Sequence, residues 1–114
     1  MDVAITITND SATISTTEYF LFGDATTASY QTTDAILQVF IDFVNMVAGD
    51  EYLVKIYEGA EGTNARVLYQ ATLVGAQSEL WVSPCFIVGN KYEVSVDRIA
   101  GTDRIVLWSL RTIT

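Results

Sequence analysis

Apolar and polar residues alternate along most of this chain, and nowhere do apolar positions recur at helical spacing. From Asp2 to Thr8, Val3, Ile5 and Ile7 point one way and Asp2, Ala4, Thr6 and Thr8 the other. Asn9-Asp10-Ser11 reads as a turn. An aromatic run from Thr17 to Phe22 ends at Gly23-Asp24, and residues 24–34 form the longest polar loop. Ala35 to Phe43 is a predicted strand with Leu37, Val39, Ile41 and Phe43 on one side. Asn45 to Asp50 connects it, with room for one helical turn, to a strand over Glu51 to Glu58 that aligns Tyr52, Val54 and Ile56. Gly59 to Ala65 is a loop, and Arg66 to Val74 a strand aligning Val67, Tyr69, Ala71 and Leu73. Leu80 to Val88 is interrupted by Pro84, which has no amide hydrogen and marks an edge strand or a bulge. Gly89-Asn90 has the form of a two-residue hairpin turn. It leads into Lys91 to Ile99, with Tyr92, Val94 and Val96 inward and Lys91, Glu93, Ser95 and Asp97 outward. After Gly101 to Asp103, the stretch from Arg104 to Thr112 closes the chain with Val106, Trp108 and Leu110 inward.

Eight to nine strands at short, regular spacing, rich in Val, Ile, Thr and aromatics, predict an all-β fold. The expected architecture is a single antiparallel β-sandwich or jelly roll over residues 1–114. No linker, repeat or low-complexity tract divides it.

Charge and residue chemistry narrow the function by exclusion. The 114 residues carry 14 acidic and 6 basic side chains, a net charge of −8, and no His. Without His there is no Ser-His-Asp or Cys-His site and no His-ligated zinc. The single Cys allows no internal disulfide and no thiolate cluster. A net −8 disfavours nucleic acid, whose phosphates call for Lys and Arg. No apolar run reaches the length of a membrane helix, and Met-Asp-Val-Ala lacks the basic start of a secretory signal. The acids show neither calcium-loop spacing nor a recognisable glycosidase pair, and no Gly-rich phosphate loop is present. The expectation is a non-enzyme with no metal and no cofactor. Asp2, Asp10, Glu18, Asp24, Asp34, Asp42, Asp50 and Glu51 precede the first base, Lys55, so the acidity belongs to the N-terminal half.

Hydropathy points to a partner. Half the residues are apolar and only 18% are charged, below the roughly 25% of an ordinary domain. Three strands carry apolar residues on the parity that should face water: Ile36 and Phe40, Leu53 and Tyr57, and Leu68. Either another part of the chain covers them, such as the N-terminal segment or the 24–34 loop, or they form a subunit interface. Cys85, between Pro84 and Phe86, is expected to be a buried, inert thiol. Trp81 and Trp108 are expected in the core, with Trp81 as the one candidate for a sugar platform in a small carbohydrate-binding module.

The strings Ala48-Gly49-Asp50-Glu51-Tyr52 and Ala100-Gly101-Thr102-Asp103-Arg104, with Trp81-Val82-Ser83-Pro84 and Trp108-Ser109-Leu110-Arg111, carry a resemblance. The chain after residue 17 resembles short all-β virion proteins of tailed bacteriophages, of the capsid cement or decoration type. The resemblance implies a structural protein, made in the bacterial cytoplasm, that sits on the capsid surface and bridges neighbouring major capsid subunits. It implies two partners, the major capsid protein and copies of the chain itself, often as a trimer. A tail, neck or fibre component of the same fold is the alternative within that class. On this view Ile36, Phe40, Leu53, Tyr57 and Leu68 form the interface, helped by the acidic half and the 24–34 loop.

Overall fold

The computed structural model describes residues 3–114, so Asp2 of the first alternating stretch lies outside the described residues. The chain is an all-β sandwich of two antiparallel sheets. Its strands are β1 (Ile5–Ile14), β2 (Tyr19–Phe20), β3 (Ala35–Asp42), β4 (Glu51–Glu58), β5 (Arg66–Val74), β6 (Trp81–Val82), β7 (Phe86–Val88), β8 (Glu93–Ala100) and β9 (Arg104–Ile113). Sheet A runs β1-β9-β3, with β6 and β7 both paired to the far side of β3; sheet B runs β2-β8-β4-β5. Taking β6 and β7 as one edge strand broken at Pro84, this is the strand order of a jelly roll.

Period-two burial explains why these segments pair. Leu37, Val39 and Ile41 of β3 are fully buried, as are Tyr52, Val54 and Ile56 of β4, and they meet Val94, Val96, Val106 and Leu110 between the sheets. Each such aliphatic side chain contributes about 1.5–3 kcal/mol through burial. Phe43 packs on Tyr52 and Tyr19 on Trp108, ring centroids 6.2 and 5.9 Å apart. Tyr69 of β5 meets Phe86 of β7 at 5.5 Å, which aligns the far edges of the two sheets.

Several expectations give way to the jelly-roll path. Asn9-Asp10-Ser11 is not a turn: β1 pairs with β9 without a break from Ile5↔Ile113 to Ile14↔Arg104, and the partner strand overrides the local turn preference. Gly89-Asn90 is not a hairpin turn. Strand β7 stays on β3, whereas β8 pairs with β4 and β2 in the other sheet, so the segment crosses between sheets, with Lys91 in the left-handed region at φ 62°. A register shift between Ile56 and Tyr57 takes Val67 out of the row of Tyr69, Ala71 and Leu73, and leaves it exposed. Cys85 is exposed, not buried, because the chain leaves the sheet between β6 and β7.

Two buried carboxylates tie the ends of the sandwich. Asp50 accepts from the amides of Val47 and Thr102, both at 3.0 Å, and from Arg104 Nε at 2.8 Å. Those donors hold its carboxyl down at about 2. Gly101, with φ +93°, closes the β8–β9 turn against it; a Cβ there would collide with the Asp50 side chain. At the other end Glu93, expected outward, is fully buried. Its Oε1 accepts from the amides of Phe22 (2.9 Å) and Val94 (2.8 Å), and its Oε2 from Gly23 and Ser29 (both 3.2 Å). Burial pushes the Glu93 carboxyl up, and the four amides offset part of that rise.

Candidate interaction face

The two sheets treat their outer faces differently. On sheet B, the chain covers itself. Tyr57 Oη and Ser95 Oγ both donate to Glu18 Oε2, at 2.6 and 2.5 Å, and Phe20 lies 6.3 Å from the Tyr57 ring. Burial first, and then the Glu18 carboxylate, pushes the Tyr57 hydroxyl up. Tyr19 is pushed up to about 12 by burial and by its bond to Asp24 Oδ1 at 2.6 Å. This segment and the loop pinned by Glu93 clamp the open side of sheet B. The remaining positions there mix polar and apolar groups, with Leu53 opposite Asp97 and Thr72, and Lys55 opposite Ser95 and Gln70.

On sheet A, no described residue lies across the outer face in this way. Pairing registers place Ile5 beside Ile113, Ile113 beside Ile36, and Ile36 beside Ile87. These four isoleucines form one row across four strands, and they are 65%, 40%, 42% and 88% exposed in the order Ile5, Ile113, Ile36, Ile87. The second row is Ile7, Arg111 and Gln38, the third Asn9, Ser109, Phe40 and Val82, and the fourth Ser11, Leu107 and Asp42. Ile105 extends the exposed apolar surface beyond them. Arg111 sits over the Phe40 ring, its guanidinium carbon 3.9 Å from the centroid, and forms no ion pair among the described residues. Ile5, Ile36, Phe40, Cys85 and Arg111 line a shallow groove of about 310 Å³ on this face.

The five residues expected to form one interface therefore divide. Ile36 and Phe40 lie on the outer face of sheet A; Leu53, Tyr57 and Leu68 lie on sheet B, Tyr57 held by Glu18 and Leu68 exposed near the β5 bulge. One partner surface cannot cover both sets, since they look away from each other. The chain covers part of sheet B with its own residues and leaves the outer face of sheet A open. Ile5, Ile7, Ile87 and Ile113 complete the open face and were not singled out by the sequence. The signal for β9 was present in Ile105-Val106-Leu107-Trp108, a run in which both parities are apolar.

Among the described residues, no group of three or more Cys, Asp or Glu side chains is placed to hold a metal. The carboxylates with several partners, Asp50, Glu93, Glu18 and Glu58, spend their oxygens on the chain's own donors. Trp81 is half-buried and packs against the core.

No protein-family model matches the chain, and no curated protein matches its sequence. Its fold is similar to that of a chain from a solved structure of Bacillus endospore appendages, described as a novel family of disulfide-linked pili. The TM-score is 0.52 at 14% identity, over 96% of this chain and 86% of that one. At that identity the likeness is one of fold.

Proposed function

We propose that this chain is a structural subunit that acts by self-association, and specifically a bacteriophage capsid decoration protein. The observation that carries the reading is the outer face of sheet A, where the isoleucine row stands exposed beside a half-buried Phe40 in a chain of net charge −8. An exposed apolar row flanked by mixed polar and apolar rows suits a protein contact. The virion setting rests on the sequence resemblance, which also supplies the expected work: adding buried contacts between neighbouring major capsid subunits, so that many modest contacts sum over a closed shell. Docking on the shell then uses surfaces other than the self-contact, with the acidic N-terminal half and the 24–34 loop as candidates.

The similar fold found in pili supports the same broad class of role. Disulfide linkage into a polymer is a different matter. A chain linked on both sides needs at least two thiols, and Cys85 is the only one here. Any assembly of this chain beyond a pair must therefore rest on noncovalent contacts.

The test is the mass of the purified chain in solution, followed by its copy number in particles. A mass that rises with concentration to a fixed multiple of 12.5 kDa is expected. Particles are expected to hold about one copy per capsid lattice site. A chain that remains monomeric overturns the self-association reading. A copy number of about a dozen or fewer, as a single ring at one vertex supplies, overturns the decoration reading and leaves a tail or neck component.

A further inference from the structure

We propose that the outer face of sheet A pairs with the same face of a second copy about a two-fold axis, with each Arg111 meeting the partner's Asp42. The proposal rests on the self-association reading above and names its partner and geometry.

Charge identifies the occupant. Along the strands of this face, the charged side chains are Arg111, one row to one side of Phe40, and Asp42, one row to the other. Neither forms an ion pair within the chain among the described residues. Arg111 is held on Phe40 and bonded through Nε to Ser109 Oγ at 3.1 Å, so its charge is presented in a fixed place. Asp42 Oδ1 accepts from the Val44 amide at 3.0 Å, which fixes that carboxylate as well. A two-fold axis lying in the interface along the Phe40 row exchanges the two neighbouring rows. It therefore lays each Arg111 row over the partner's Asp42 row and makes both pairs at once, as an isologous interface requires. Rows on one face are about 7 Å apart, two residues of strand, so both charges stay within reach of the axis.

Size and net charge agree. Ordinary strand spacing makes the face roughly 20 Å wide and 30 Å long, the scale of the about 800 Å² that each partner gives to a standard interface. Two chains of net charge −8 repel, and this face lets them approach with no excess of negative charge between them. The charge pattern favours a pair over the trimer that the family resemblance implies.

The test is a charge exchange read by light scattering or sedimentation. Arg111→Glu and Asp42→Arg are each expected to raise the dissociation constant of the pair by roughly a hundredfold, and the double variant to bring it back to within about tenfold of the wild type. Asp42→Asn keeps an oxygen for the Val44 amide and removes only the charge; it is expected to weaken the pair in the same direction. If the single variants keep the wild-type mass, or the double variant fails to recover, the two-fold geometry is wrong while self-association stands. A wild-type chain that is monomeric throughout overturns both.

Discussion

Replacing Ile36 and Ile113 together by aspartate is expected to give a folded monomer. Both side chains stand on the water side of sheet A, so the change leaves the core between the sheets intact. The two are cross-strand neighbours, so the change also loses an apolar pair and sets two carboxylates opposite each other, at about 1–2 kcal/mol in all. In an assembly through this face the same two carboxylates would lie against apolar surface, unpaired, at several kcal/mol apiece. The dissociation constant is expected to rise by about a thousandfold or more. Light scattering reads the mass, and thermal unfolding checks that the fold persists. The comparison variant is Leu68→Asp, an exposed residue on sheet B. It is expected to leave the mass unchanged; if it dissociates the assembly as well, sheet B shares the contact.

The largest expected effect on stability comes from Glu93→Ala. Removing the carboxylate strands the amides of Phe22, Gly23, Ser29 and Val94, and releases the segment that clamps the outside of sheet B. Buried donors left without acceptors cost about 1 kcal/mol or more each, partly offset by no longer burying a charge. A net loss of about 3 kcal/mol is expected, a fall in melting temperature of roughly 12–24 °C for a domain of this size. The pH dependence has a definite sign. The Glu93 carboxyl is raised above its ordinary 4.5 in the folded chain, so folding takes up a proton there as pH falls. Its contribution is therefore full below 4.5 and is lost as pH rises through the folded value. The stability gap between wild type and Glu93→Ala is expected to widen from pH 7 to pH 5 in urea unfolding. A gap that narrows would mean that the carboxylate, not the acid, is the form the fold favours.

Much of the sandwich was legible in the alternation of Leu37, Val39 and Ile41, of Tyr52, Val54 and Ile56, and of Val106, Trp108 and Leu110. A period of two reports a strand with one buried side, and those sides are buried. It does not report which sheet a strand joins. That is why Gly89-Asn90 reads as a hairpin although the chain crosses between sheets there, and why alternation groups Ile36 and Phe40 with Leu53 and Tyr57. Nor does alternation say which of two sides faces the core. In β1 the regular Val3, Ile5 and Ile7 face water, whereas the less regular Ala12 and Ile14 face inward. Alternation sets Glu93 outward, and its burial depends on amides some seventy residues away in sequence, at Phe22 and Gly23. The apolar excess was a sound indication of an open face; locating that face required the pairing registers of β1, β9, β3 and β7.

The most direct test of that face is the reactivity of Cys85, an exposed thiol in the groove beside Ile36, Phe40 and Arg111. Its rate of modification by a small aromatic disulfide reagent is measured across the concentration range in which the mass rises. If copies associate through the outer face of sheet A, the rate falls in proportion to the fraction of chain still dissociated. A rate that stays constant while the mass rises would contradict the account, because the chain would then assemble with this face open to water.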